Sequence, residues 1–274
     1  RDACWLMAGL LLVIVVPMNF FLQRKEPADI GLFPDGDAAP DKEMTRGQQT
    51  AADPVVDAEW VNTDWTLRKA AKTATFWWLA LACSTALYVW YAVQIHQTKY
   101  LIEIGFSDME AASALGLVGF AGVLGQIYLG SLSDRIGREW VWSLSTAGFL
   151  LSCVLLLVME HVPSVTMMYA MVILQGGLGY GIATVFGSMP ADLFQGRGYG
   201  IIFGTLGMLA LVGGALGPWL TGYFYDQGGN YHLAFYVIIA LSILSILSVW
   251  LAAPRKRRLV AGQARKRAMK AMLS

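Results

Sequence analysis

Seven apolar runs dominate the chain, at about 3–23, 74–95, 111–133, 140–159, 165–187, 200–221 and 233–253, and none contains Asp, Glu, Lys, Arg or His. A helix needs roughly 20 apolar residues to cross a hydrocarbon layer about 30 Å thick, because no water is present there to satisfy broken backbone hydrogen bonds. Every run meets that length, so the pattern predicts an all-α, polytopic membrane helical bundle of seven spans. The connection from Arg24 to Thr73 is different: ten acidic residues together with Pro27, Pro34, Pro40 and Pro54 leave no apolar period before Trp60. It reads as a flexible linker. Its end, within 63–72, suggests a short helix capped by Thr63 or Asp64, with basic residues facing lipid phosphates. The expected organisation is one span over 1–23, a linker over 24–73, six spans over 74–254 and a basic tail over 255–274.

Composition agrees with a bilayer, with 56% apolar and only 14% charged residues. A formal charge of +1 gives no reason to expect a nucleic-acid partner. Placement of the charges says more. Eighteen of the twenty Lys and Arg fall on one set of alternate connections, leaving only Arg1 and Lys99 on the other. Basic residues are retained on the cytoplasmic side. The amino end is therefore expected outside and the tail inside, in a plasma or inner membrane. Trp5, Trp77, Trp78, Trp140, Trp142, Trp219 and Trp250 lie at span ends and suit an interfacial belt. Cys4, Cys83 and Cys153 lie in apolar runs without partners at metal or redox spacing, so they read as buried fillers. No metal or cofactor site is expected. The chain opens on Arg1 with an apolar run close behind, which suggests a fragment.

Polar side chains inside a span cost free energy against lipid unless they face protein or water, so they mark a candidate path. Ser84, Thr85, Tyr88, Tyr91, His96 and Lys99 fall within an arc of roughly 140° on the second span and its outer extension, at 100° per residue. Lys99 and His96 offer an anion a positive site, and His96 could exchange protons near neutral pH. Equally, Lys99 could snorkel to headgroups and His96 sit exposed in a loop. Gln126, Gln175 and Tyr180 sit near the middle of their spans as uncharged donors, for a cavity or for hydrogen bonds between helices. Gln126 shares a face with Gly116, Gly119, Gly122 and Gly130, which favours helix packing. The run Gly176-Gly177-Leu178-Gly179-Tyr180-Gly181 has no Gly-Lys-Ser/Thr ending and lies within an apolar span, so it suggests bending or close packing rather than a phosphate loop.

The most informative string is Gly130-Ser131-Leu132-Ser133-Asp134-Arg135-Ile136-Gly137-Arg138, in a short turn between the third and fourth runs. Taken physically, its glycines permit a tight turn, and its charges can pair with a neighbouring helix end or simply populate a positive-inside loop. The string resembles the cytoplasmic-loop signature of major facilitator superfamily transporters, which follows the second helix of a six-helix half. Here it follows the second of six spans after the linker, so the chain resembles helix six, the central loop and the carboxy-terminal half, with the amino-terminal half as a missing partner. Glu26-Pro27-Ala28-Asp29-Ile30-Gly31-Leu32-Phe33-Pro34-Asp35-Gly36, Trp65-Thr66-Leu67-Arg68 and the stretch from Gly217-Pro218 to Tyr231 resemble the bacterial monocarboxylate and oxalate:formate exchanger-like branch. The resemblance implies alternating-access transport of a small organic anion, with symport and antiport both open. It also implies a cytoplasmic gate of Gly130, Asp134, Arg135, Gly137 and Arg138, and this chain's own Asp192 or Arg197 is a candidate partner for it within the same half. One departure from that branch is clear: no span carries an arginine or lysine.

The bare span count also permits a seven-span receptor or sensor, and an uncharged interior permits a carrier of neutral solutes. The last span lacks a retinal-binding lysine, and no Ser/His pair or metal cluster lies at membrane depth. Without a nucleotide motif an ATP-driven pump is not expected.

Overall fold

The computed structural model describes residues 2–22 and 55–273. The described residues of the first unit form one helix, α1 (residues 2–22), with a π turn over Leu11–Val15. Its apolar core, Ala8–Phe21, is shorter than the six spans that follow. The linker over 24–54, with the Glu26–Gly36 stretch, lies outside the described residues.

The second unit contains two short helices, α2 (Ala58–Val61) and α3 (Leu67–Ala70), then α4 (Ala74–Glu103), α5 (Asp108–Ile136), α6 (Arg138–Met159), α7 (Val165–Leu193), α8 (Tyr199–Gly228), α9 (His232–Ala252) and α10 (Ala261–Leu273). Helices α4 to α9 are long and apolar enough to cross a membrane. Their ends follow from local chemistry. Ser107 caps α5 with a reciprocal capping box to Glu110. Gly137, at φ +113, turns α5 into α6 in a single residue, a backbone conformation that a Cβ would strain. The cap of α3 is Thr66, which accepts from the Lys69 N–H, rather than the expected Thr63 or Asp64. Only Thr66 stands immediately before the helical turn with an extended backbone.

Helix α4 is the most deeply buried span and packs mainly on α8 and α9. Glycines set its distance from α8. A Cβ on Gly217 would meet the Tyr88 carbonyl oxygen at 2.5 Å, and one on Gly213 would overlap the Ser84 backbone. Across that seam Ser84 Oγ donates to the Leu209 carbonyl at 2.9 Å. A second tie joins three helices: Trp142 Nε1 donates to Ser245 Oγ at 3.1 Å, and Ser245 donates to the Ala82 carbonyl at 3.0 Å. Trp142 is fully buried, so it is a core residue and not part of an interfacial belt. Trp77, Trp140 and Trp219 are exposed as the belt requires.

Helix α7 departs from α geometry between Ile173 and Gly179, where it forms a π segment. The segment is wedged between α5 and α6 through glycines on both sides. A Cβ on Gly176 would meet the Val118 carbonyl at 2.5 Å, and one on Gly148 would meet the Leu174 carbonyl at 2.5 Å. Close packing is therefore the use this glycine run finds.

Replacing Gly217 with alanine should destabilise the bundle by about 1–3 kcal/mol through overpacking against a backbone atom. Gly187→Ala, where no atom lies within 4 Å of the added carbon, should leave stability unchanged or raise it by up to about 1 kcal/mol. Thermal unfolding in detergent, followed by tryptophan fluorescence, compares the two.

Candidate functional site

The polar arc expected on the second span forms the seam with α8. Ser84 bonds to α8, Thr85 returns its hydroxyl to its own helix, and the Tyr88 hydroxyl is buried with no hydrogen-bond partner among the described residues. Tyr91 is exposed on one side while its ring covers Gly214 on the other. His96 is half-buried between helices rather than in a loop: Nε2 lies 3.1 Å from the Pro218 carbonyl and Nδ1 lies 3.3 Å from the Tyr231 hydroxyl. A carbonyl only accepts, so Nε2 carries the hydrogen and Nδ1 accepts from the phenol. Lys99 is held by Glu103 at 3.6 Å and lies 3.7 Å above the Tyr225 ring, while Tyr225 donates to Glu103 at 2.6 Å. The seam exists because Gly213, Gly214 and Gly217 let this arc approach α8 closely, which occupies it with packing.

The inward polar surface is instead built from Gln94, Gln175 and Tyr180. Gln175 Nε2 donates to Gln94 Oε1 at 3.0 Å, and Gln94 Nε2 donates to the Tyr180 hydroxyl at 2.8 Å. The three groups form a directional chain. It ends at the Tyr180 O–H, whose hydrogen has no acceptor among the described residues. Successive hydrogen bonds polarise one another, so the terminal phenol becomes a stronger donor. Trp90 lies on the Tyr180 ring with centroids 4.2 Å apart. The same Trp90, with Leu87, Tyr91, Ile182, Ala183 and Phe186, lines a recess of about 280 Å³ between α4 and α7. Gly122 sits directly against the Tyr180 ring, which leaves no room there for a side chain. Gln126, one helical step away, is half-buried and forms no hydrogen bond with the described residues. The arrangement can donate to an oxygen acceptor beside an apolar, aromatic wall.

The signature turn forms a separate charged cluster at the end where α5 meets α6. Arg138 Nε donates to Asp192 Oδ2 at 3.1 Å, Nη1 pairs with Asp134 Oδ1 at 2.7 Å, and Nη1 also donates to Ser133 Oγ. Arg138 and Asp192 are mostly buried, whereas Asp134 is 60% exposed. Of the two partners expected from α7 and its loop, Asp192 joins the cluster. Arg197 and Arg135 form no ion pair among the described residues. Gly130 lies in ordinary contact with Thr184, 3.7 Å from an added Cβ. Arg138 therefore ties α6 to the end of α7.

Sequence reasoning did not anticipate what covers this cluster. Trp60 and Trp65 pack ring on ring at 4.5 Å, and Trp65 meets Phe194 edge-on at 5.1 Å. Trp60 Nε1 donates to the Leu193 carbonyl at 2.7 Å, capping the end of α7. Residues 55–57 pair in turn with the start of the tail: Val56 N–H donates to the Arg257 carbonyl at 3.1 Å, Arg257 pairs with Asp57, and its guanidinium lies 3.9 Å above Trp60. Glu139, buried, accepts from the Arg255 N–H at 2.8 Å. On the far side of the turn, Gln263 Nε2 donates to the Ile136 carbonyl at 2.7 Å. Two tryptophans inside an acidic stretch were the available signal. The Asp57 carboxyl is held below the usual aspartate range, chiefly by the Trp60 N–H that it accepts; partial burial opposes this and Arg257 adds to it.

A family model described as Major Facilitator Superfamily matches residues 100–273. A triacylglyceride transporter of Mycobacteroides abscessus is 28% identical over 126 residues, covering 46% of this chain and 24% of that protein. An uncharacterized membrane protein of Schizosaccharomyces pombe is 28% identical over 156 residues, covering 56% of this chain and 24% of that protein. The chain spans about a quarter of the length of the curated relatives it matches.

Arg138→Gln should destabilise by about 3 kcal/mol, because it leaves the mostly buried Asp192 without its partner, and Asp192→Asn should cost less, because Arg138 keeps its pair with Asp134. The double variant should lose clearly less than the sum, which a double-mutant cycle on thermal unfolding reads directly. The clasp around Trp60 should loosen in acid. A depressed carboxyl pKa contributes stability that is complete above the ordinary value of about 3.9 and vanishes as pH falls through the lower folded value. Amide exchange at residues 56–61 should therefore accelerate below that range, and Asp57→Asn should remove the pH dependence.

Proposed function

The chain belongs to the Major Facilitator Superfamily, and on that premise we propose that it works as the carboxy-terminal half of an alternating-access carrier for a small organic solute bearing an oxygen acceptor. The terminal phenol of the Gln175–Gln94–Tyr180 chain carries this reading. A carboxylate or carbonyl oxygen accepts from Tyr180, while the apolar body of the solute rests against Trp90 and Phe186. A monocarboxylate-like anion is the solute class that the sequence resemblance favours. It would be recognised through a neutral donor here, with any positive charge supplied by the other half, since no span in this chain carries Lys or Arg and Lys99 is engaged by Glu103. The triacylglyceride transporter among the relatives supports a reading in which the solute carries ester carbonyls, which the same donor suits.

Gly116 and Gly119 on α5, and Gly200, Gly204 and Gly207 on α8, meet no atom within 4 Å of an added carbon. Such notched faces allow close approach of further helices, and the amino-terminal half is the partner proposed for them. In this reading the Arg138–Asp192 pair closes the cytoplasmic side by tying α6 to α7, and it breaks as the halves rock. The positive-inside bias supports a cytoplasmic position for the turn, the clasp and the tail, with the spans in a plasma or inner membrane.

The test uses the full-length protein in proteoliposomes, with uptake of radiolabelled formate, lactate and oxalate and of an uncharged ester, each with and without a pH gradient. Tyr180→Phe should raise the KM of the transported solute about tenfold or more, the loss expected for one strong hydrogen bond to a charged or polar oxygen, with kcat little altered. Gln94→Leu should do the same through the donor chain. Unchanged kinetics in both variants, for every solute transported, would remove the site.

A further inference from the structure

The positive-inside rule accounts for the sign of the tail but not for its arrangement. Helix α10 follows α9 after a sharp reversal: Ala253, at φ +50, ends α9 and a 3-10 turn over Pro254–Lys256 redirects the chain. The first turn of α10 docks on the signature loop. Gly262 lies against the Arg135 backbone so closely that a Cβ would overlap it, Gln263 caps the Ile136 carbonyl at 2.7 Å, and Ala264 is buried. Beyond that turn the helix carries Arg265, Lys266, Arg267 and Lys270, all exposed, with no acidic residue anywhere in α10. None of the four forms an ion pair among the described residues, although Asp134 and Glu139 stand near the docked turn. At 100° per residue the four cations fan across the side opposite Ala264. Exposed Met269 lies among them.

We propose that the basic side of α10 is a binding surface for anionic lipid headgroups, and that lipid binding there holds the signature turn in its capped form. Charge complementarity selects the occupant. The helix follows a membrane-spanning segment by a short turn, its four cations pair with no acid among the described residues, and Met269 supplies an apolar group for the headgroup–acyl boundary. The lipid-bound helix cannot leave the turn without breaking the Gln263–Ile136 bond. The contact therefore transmits the state of the membrane surface to the peptide next to Arg138.

The experiment labels Met269→Cys with a fluorophore in the full-length protein, after replacement of the native cysteines. The protein is reconstituted in phosphatidylcholine vesicles with or without phosphatidylglycerol, doped with a headgroup-quencher lipid. Strong quenching is expected only with phosphatidylglycerol, falling with added salt. Each cation near an anionic surface is worth about fivefold in partition, so a variant carrying R265Q, K266Q, R267Q and K270Q should lose quenching almost entirely. Amide exchange at residues 136–138 should be slower in phosphatidylglycerol than in phosphatidylcholine for the parent and equal in the two for the variant. Equal quenching in both lipids overturns the proposal. So does slowing of exchange by inorganic phosphate in phosphatidylcholine alone, which would make the site one for free anions. Gln263→Ala keeps the charges: retained quenching with lipid-independent exchange at 136–138 is expected, and exchange that still follows lipid overturns the coupling.

Discussion

Helices in a hydrocarbon layer gain nothing from burying apolar surface against one another, since the lipid is equally apolar, so their association rests on close van der Waals contact and on hydrogen bonds. In this bundle glycine makes that contact possible. Gly213 and Gly217 bring α8 to the backbone of α4, and Gly148 and Gly176 bring α7 to α6 and α5. At these separations a few serine and tryptophan hydrogen bonds reach across, as Ser245 does between Trp142 and Ala82. Every position of a functional side chain follows from those approaches.

The division of labour on α4 is an example. One side of the helix carries most of its hydroxyls and its histidine, and that side is pressed against α8 by the glycine seam. The other side carries Trp90 and Gln94, beside the recess between α4 and α7 and the donor chain that ends at Tyr180. The helix thus carries its adhesion seam and its proposed recognition group on different faces, with Tyr91 at their border.

The spans and the signature turn were legible because long apolar runs and a glycine-bounded charge string admit few conformations. The candidate site was legible in part. Gln175 and Tyr180 stood out as polar residues in apolar runs, but Gln94 sits about 60° beyond the nearer edge of the polar arc on its own helix, and no pattern within α4 marks it as their partner. That pairing depends on the rotation of α7, which a helical wheel drawn at 100° per residue misplaces across a π segment. Trp142 was misassigned for a similar reason: its position near a span end fits a belt, and the serine that takes its N–H lies more than a hundred residues away. The clasp at residues 55–66 was hidden because its acids dominate the composition, while its structure is set by two indoles and a distant arginine.

The π segment links the two functional regions through counting. Gln175 and Tyr180 are five residues apart, a spacing that puts side chains about 140° apart on an ordinary α-helix, yet both meet Gln94. The wider turn absorbs one extra residue. Removing a single residue between Ile173 and Gly179 would restore regular winding and leave the rotation of Gly181 to Leu193 nearly unchanged. Asp192 would then still face Arg138. Length in this short stretch is thus more tolerant than in the regular turns on either side of it, where the loss of one residue would rotate all that follows by about 100° and part Asp192 from Arg138.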